Sequence, residues 1–136
     1  MTYSDTLLDH ACNPRNVGHI ENADGIGTAG DPSCGDFALM TLRVRDGRVV
    51  DARFLVRGCG VAIATCSMAT VLVKEKTLTE SALLTDEDVA AALGGLPEDK
   101  SHCSNLAASA LHNALIDYCE RDRLDLQDWR SLYRPG

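Results

Sequence analysis

ALMTLRVRDGRVVDARFLVR, residues 38–57, contains two alternating apolar and polar runs joined by Asp46-Gly47. Asp-Gly suits a type I′ turn because both central residues of that turn take positive φ. The stretch therefore predicts a β-hairpin with strands over 38–45 and 48–57. The alternation assigns one set of side chains to a core and another to solvent. The core set is Met40, Leu42, Val44, Val50, Ala52, Phe54 and Val56; the outward set is Arg43, Arg45, Asp51, Arg53 and Arg57.

Three cysteines have glycine or polar neighbours, in Pro32-Ser33-Cys34-Gly35-Asp36, Arg57-Gly58-Cys59-Gly60 and Lys100-Ser101-His102-Cys103-Ser104. Core cysteines usually sit in apolar runs, so these settings favour thiols that a ligand can reach. Cys34 precedes the first hairpin strand and Cys59 follows the second, so we expect them to meet at the open end. The alternative is three unrelated buried thiols, since none belongs to a C-x-x-C pair.

The remaining pattern predicts five helices and one further strand. Ser4 is a plausible N-cap for a short helix that ends at Asn13-Pro14. Residues 25–30 can form a short edge strand, and their glycines lack the Lys-Ser/Thr of a phosphate loop. Residues 61–73 predict a buried helix, Thr77 and Thr85 begin two short helices by capping boxes, and a core helix begins near Cys103. The fold class is α+β, a small three-stranded antiparallel sheet packed against about five helices.

Five short motifs occur together in the chain: Asp9-His10 with the run Asn13-Pro14-Arg15-Asn16-Val17-Gly18, Cys34-Gly35-Asp36, Asp51-Ala52-Arg53-Phe54, Gly58-Cys59-Gly60, and Lys100-Ser101-His102-Cys103-Ser104. Their order and spacing resemble those of the U-type iron-sulfur cluster assembly scaffolds, from about Tyr3 to about Tyr118. Glu98 and Asp99 replace the apolar pair that scaffolds served by a dedicated Hsp70 chaperone carry there. The chain therefore looks closer to the NifU-like branch, and such a chaperone is not expected as a partner. The zinc-dependent SufU-like branch is disfavoured because no long insertion precedes Cys103.

The resemblance implies a scaffold rather than an enzyme with turnover of its own. A cysteine desulfurase would supply sulfur, a ferredoxin-type donor would supply electrons, and a labile [2Fe-2S] cluster would pass to apo-proteins or carrier proteins. Cys34, Cys59 and Cys103 would bind the cluster, with Asp36 or His102 as the fourth ligand, at one end of the domain. A single oxygen or nitrogen ligand near the surface predicts that the cluster is held less tightly than by four thiolates.

Cys103 is predicted to be the sulfur acceptor. Its place at a helix start, near Lys100, should favour the thiolate and make it the easiest cysteine to ionise. Lys100 could attract thiolates or persulfide, although a solvated surface charge is the plainer interpretation. Cys66 is predicted to be a buried structural thiol, while Cys12 and Cys119 are given no role.

Two other function classes fit the same residues. Three cysteines with Asp or His also satisfy tetrahedral zinc, as in a zinc-bound sulfur-acceptor protein or a structural zinc module. A thiol hydrolase is disfavoured, because His102 next to Cys103 in the chain does not provide an oriented base.

The acidic composition, with a net charge of −7, argues against a nucleic-acid surface and suits solubility or a basic protein partner. Without an export signal, the six cysteines are expected to stay reduced in the cytoplasm. The longest apolar run, 61–73, is too short to span a bilayer. One domain over 1–136 is expected, with a helical extension over about 120–136 that caps its own domain or binds a partner.

Overall fold

The computed structural model describes residues 3–31 and 35–123. It confirms the α+β fold, with a three-stranded antiparallel sheet and, in these ranges, five α-helices. In chain order the elements are α1 (Asp5–Cys12), β1 (Gly25–Gly30), β2 (Phe37–Arg45), β3 (Arg48–Arg57), α2 (Gly60–Val73), α3 (Leu78–Ala82), α4 (Asp86–Ala92), a 3-10 turn (Glu98–Lys100) and α5 (Ser101–Arg123).

The predicted hairpin is β2 and β3, with Asp46 at φ 54° and Gly47 at φ 74° in its turn. A β-bulge near the turn pairs Val44 with Val49 but Arg43 with Asp51. Val49 is therefore fully buried while Val50 is only half-buried, so the assignment of Val50 to the core was wrong at this position. The bulge adds one residue to β3 and reverses the alternation there.

Helix α5 packs against the edge strand β1 through two glycines. A methyl group at Gly25 or Gly27 would overlap the backbone of α5 at Ala110 or Ala114. The glycines of residues 25–30 thus allow close contact between a helix and a strand. Helices α2 and α5 also contact each other, and together with the sheet they bury the main core.

The segment between α1 and β1 covers part of the sheet. Gly18 N–H donates to Phe54 C=O at 2.8 Å, and Ile20 N–H donates to the Thr41 hydroxyl at 3.1 Å. Thr41, which lies between the predicted core residues Met40 and Leu42, is also buried, beneath this segment. The strand β2 is therefore buried on both faces over most of its length, which its alternating pattern did not predict.

Helix α1 is fixed by its polar groups. Ser4 is its N-cap and accepts from Leu7 N–H, as predicted, and the Ser4 hydroxyl also donates to Leu93 C=O. Near its other end, buried His10 places Nδ1 2.7 Å from the Ser67 hydroxyl of α2. Because that hydroxyl accepts from Arg15 N–H, its own proton is available to His10 Nδ1.

Over the described part of the chain, none of the helices combines the length and apolar character that crossing a membrane needs. Helix α5 contains residues 120–123 of the predicted extension, and residues 124–136 lie outside the described ranges.

Candidate metal centre

The hairpin brings distant parts of the chain to its open end, opposite the Asp46-Gly47 turn. Asp36 directly precedes β2, and Phe37 pairs with Arg57 near the end of β3. Two residues later, Cys59 is the N-cap of α2. The first turn of α5 adds His102 and Cys103 at the same end.

Four candidate ligands lie close together. Cys59 Sγ is 3.9 Å from Cys103 Sγ, and Cys103 Sγ is 3.6 Å from His102 Nε2. His102 Nε2 is in turn 3.4 Å from Asp36 Oδ2. The ligand atoms of Asp36, His102 and Cys103 all lie within 4.8 Å of one another. Such spacing places two soft sulfur donors beside one nitrogen and one oxygen donor, a set that suits zinc or an iron-sulfide unit.

Access differs strongly among these side chains. Cys103 is 0% exposed and Cys59 is half-buried. The Asp36 side chain is 30% exposed and the His102 side chain 61% exposed. The site thus has a buried thiol at its base and an imidazole and a carboxylate at its mouth.

Gly58 provides space for the Asp36 carboxylate. A Cβ at Gly58 would lie 2.9 Å from Asp36 Oδ1 and 3.0 Å from the Ala62 methyl. Both distances are tighter than ordinary contacts, so the carboxylate would have to move. The missing side chain of Gly58 therefore leaves the space that the Asp36 carboxylate occupies beside Cys59.

Thr65 was not predicted to be part of the site, yet its side chain contacts the backbone of Cys103. Its buried hydroxyl lies 3.0 Å from Cys103 C=O and 2.9 Å from Ala62 C=O. The hydroxyl thereby joins α2 to the first turn of α5. Thr65 is one of three hydroxyl residues, with Ser67 and Thr70, in a mostly apolar helix, and these residues were the sequence signal that could have revealed it.

The ionisation predicted for Cys103 was wrong in the metal-free protein. Burial, followed by the neighbouring Cys59 thiol and the Asp36 carboxylate, raises the pKa of Cys103 to about 12, against a smaller lowering by Lys100. Cys103 is the third residue of α5, and its side chain faces the core. The loss of hydration, which raises the pKa, therefore outweighs the effect of the helix N-terminus, which would lower it. The thiol is therefore the favoured form in the metal-free protein, and a cation bound at Sγ would favour the thiolate.

Lys100 lies at the rim of the site. With Tyr3, Leu7, Ala11 and Cys59 it lines a groove of about 200 Å³ that extends between α1 and the start of α2. Lys100 itself is half-buried. A cation therefore lies where an anionic sulfur species would approach Cys59.

The remaining four cysteines differ in their exposure or lie outside the described residues. Cys34 lies outside the described residues. Cys66 is fully buried, as predicted, and burial raises its pKa to about 12. Cys12 and Cys119 are exposed.

The family model of the NifU-like N-terminal domain matches residues 2–125. The chain is 53% identical over 120 residues to "iron-sulfur cluster assembly scaffold protein IscU 1" of Archaeoglobus fulgidus, covering 88% of this chain and 78% of that protein. It is 45% identical over 122 residues to the IscU scaffold protein of Escherichia coli, covering 87% and 94%. A solved NifU-like N-terminal structure from Brucella abortus shares the fold, with a TM-score of 0.68 at 20% identity, covering 87% and 94%. The chain belongs to the NifU-like N-terminal domain family, as its resemblance to the U-type scaffolds predicted.

Proposed function

We propose that this protein is a scaffold on which a labile [2Fe-2S] cluster is assembled and from which the cluster is transferred. The observation that carries the proposal is the meeting of Cys59, Cys103, His102 and Asp36 at one end of a fold whose relatives are named as cluster assembly scaffolds. The cluster is cargo, so the scaffold makes and releases it without an enzymatic turnover of its own.

Cys34 is proposed as the third thiolate ligand. One residue separates it from Asp36, so their Cα atoms are at most about 7 Å apart along the chain. Asp36 lies at the site, which keeps Cys34 within reach of the same metal. The set would then be Cys34, Cys59 and Cys103 with one harder ligand.

Asp36 and His102 are the two candidates for that fourth ligand. Their facing atoms are 3.4 Å apart, so one can bind metal while the other stays beside it. Both are more exposed than the thiols, and an oxygen or nitrogen ligand matches iron-sulfide less well than a thiolate. We propose that Asp36 keeps the cluster labile, because ligand exchange at this open side lets an acceptor protein take the cluster.

The route of sulfur delivery that we propose rests on the different exposures of the Cys59 and Cys103 thiols. A persulfide on a cysteine desulfurase would be attacked by Cys59, which is half-buried and lines the same groove as Lys100. The S–S bond of the donor breaks, its cysteine leaves as a thiolate, and Cys59 becomes the persulfide. Cys103 Sγ, 3.9 Å away, then attacks the terminal sulfur while its proton passes to the departing Cys59 sulfur, so that Cys103 carries the persulfide and Cys59 returns as a thiol. Cys103 is thus the final acceptor and Lys100 the cation that attracts the persulfide.

Conversion of each terminal sulfur to sulfide consumes two electrons. Ferrous iron and a ferredoxin-type donor would supply them, and apo-proteins or carrier proteins would receive the cluster. This chemistry needs reduced thiols, and we therefore place it in a reducing compartment such as the cytoplasm. The same donors would also bind zinc in the isolated protein.

Anaerobic reconstitution tests the proposal. Metal-free protein is mixed with ferrous iron, cysteine, a reductant and a cysteine desulfurase, and cluster formation is followed optically before an apo-ferredoxin is added. We expect a [2Fe-2S] spectrum that moves to the ferredoxin. Serine at Cys34, Cys59 or Cys103 should abolish the full signal, while Cys66→Ser should leave assembly largely intact.

Two results of the reconstitution experiment would contradict the proposal. A full signal after loss of any of the three proposed thiolates would refute the shared site. Protein that binds zinc tightly, takes up no sulfur by peptide mass spectrometry and forms no cluster would instead support the zinc-bound alternative.

A further inference from the structure

The second strand of the hairpin presents a positively charged face that the proposed cluster site does not use. Ala52 and Phe54 are buried against the helices, whereas Arg53, Leu55 and Arg57 alternate with them and are exposed. These three exposed residues form the arginine face. Leu55, in the middle of the row, is 42% exposed although it is large and apolar. Arginine is enriched in contacts between proteins, and an apolar residue enclosed by charged ones suits the centre of such a contact.

The charge of the hairpin is opposite to that of the whole chain. Residues 38–57 contain five arginines and two aspartates, whereas the chain has a net charge of −7. Arg53 Nε lies 3.3 Å from Asp51 Oδ2, and Lys74 Nζ lies 3.2 Å from Asp51 Oδ1. Two cations thus share one carboxylate, and the Arg53 side chain is still 44% exposed. An acidic surface on a partner would complement the remaining positive charge.

The arginine face is close to the proposed cluster site, on the opposite side of β3 from the groove that Lys100 lines. Arg57 pairs with Phe37, the residue after Asp36, and Leu55 lies about 7 Å further along β3. The groove is formed by α1 and the start of α2, and α2 packs on the buried side of β3. A partner on the arginine face therefore leaves the groove open to a sulfur donor.

We propose that the arginine face is the docking surface for an acidic protein that delivers electrons to the site. This inference rests on the proposed function, in which sulfur arrives as a persulfide and is stored as sulfide. A persulfide anion that takes up two electrons loses its S–S bond and leaves a thiolate and sulfide. The electron donor must act while the persulfide is at the site, so it needs a surface that the sulfur donor does not cover.

Nuclear magnetic resonance of the nitrogen-15-labelled, metal-free, reduced protein tests this docking. The protein is titrated at low ionic strength with an unlabelled, oxidised [2Fe-2S] ferredoxin whose surface is acidic. We expect the amide signals of residues 53–57 to change most, and the complex to weaken at high salt. Arg53→Glu should raise the dissociation constant about tenfold at low salt, because repulsion replaces attraction. Leu55→Ser should raise it about fivefold at either salt concentration, because an apolar contact is lost.

Arg45→Glu is the matched control. Arg45 is also exposed and paired with an aspartate, Asp24, but it lies opposite Arg48 near the hairpin turn. Arg48 is about 17 Å from Arg53 along β3, so the control changes the net charge equally and leaves the arginine face intact. Its dissociation constant should stay within about twofold of the parent value. Far-ultraviolet circular dichroism checks each fold, and Arg53→Gln, with an increase of about threefold, replaces Arg53→Glu if that variant does not fold.

An absence of signal changes, or changes centred elsewhere, would overturn the proposal, as would equal dissociation constants for a folded Arg53 variant and Arg45→Glu. Light scattering detects the competing occupant, a second copy of this acidic chain. A dimer that Arg53→Glu dissociates would assign the face to self-association and also overturn the proposal. Cluster assembly with a chemical reductant does not depend on this face. Its failure would therefore reject the proposed function, while the titration still decides whether an acidic protein docks here.

Discussion

Gly27→Ala should destabilise the domain strongly, because this position permits the contact between β1 and α5. A Cβ placed on Gly27 would overlap the backbone nitrogen of Ala114 and the carbonyl oxygen of Ala110. Both obstacles belong to the main chain of a helix, so no flexible side chain can move aside. The helix or the strand must shift, and α5 also carries His102 and Cys103.

The magnitude follows from the cost of overpacking, which is typically about 1–3 kcal/mol for an added methylene in a packed core. Overlap with backbone on two sides puts Gly27→Ala at the upper end, at about 3 kcal/mol. For a chain of 136 residues, about 4 °C of Tm is lost per kcal/mol, so we expect a decrease of about 12 °C.

Thermal unfolding of the metal-free, reduced protein by calorimetry measures this change. Gly60→Ala is the matched control, because its added Cβ would meet only the Ala11 methyl at 3.7 Å, an ordinary contact. It should change the free energy of unfolding by less than about 1 kcal/mol. Equal Tm values for Gly27→Ala and the parent protein would refute the packing argument.

Three further predictions concern the site and its supports. Asp36→Ala should slow cluster transfer to an apo-ferredoxin, because it removes the carboxylate that we propose keeps the cluster labile; transfer at the parent rate under matched conditions would disprove that role. Thr65→Val should lower the free energy of unfolding in urea by about 1 kcal/mol, as the hydroxyl contact with Cys103 C=O is lost, while Thr79→Val on exposed α3 should have little effect. Burial, reinforced by Arg15 against a weaker opposing effect of Asp9, lowers the pKa of His10 below its ordinary 6.5. The unfolded chain therefore binds this proton more readily than the folded chain does. The stabilising contribution of neutral His10 should be fully present above pH 6.5, and the free energy of unfolding should decrease as the pH falls below that value. In urea titrations, His10→Asn should make this decrease smaller.

The hairpin was predictable because its information is local. Asp46-Gly47 specifies the turn, and the alternation of the two runs specifies most of the buried face. The bulge at Val49 and Val50 was not predictable in this way, because it depends on how β3 meets β2 after the turn. The capping boxes at Thr77 and Thr85 were likewise predictable, because each depends on two residues that are three positions apart.

Features that depend on distant parts of the chain were missed or misjudged. Gly25 and Gly27 were recognised as strand glycines, but their partners are in α5. The position of Cys103 at a helix start was correct, whereas the direction of its side chain, into the core, reversed the expected ionisation. Local spacing indicates where a helix begins, and only the packed structure determines which residues of its first turn lose water.

We propose that thiolates and one harder ligand together hold the cluster at this end of the fold. Mössbauer spectroscopy of iron-57 protein after anaerobic reconstitution tests it most directly, because the two iron atoms report their ligands separately. We predict two unequal iron sites, one bound by thiolates and sulfide alone and one that also has an oxygen or nitrogen ligand, with both absent in Cys103→Ser. Two equivalent iron sites with thiolate ligands only, or an unchanged spectrum in Cys103→Ser, would contradict the account.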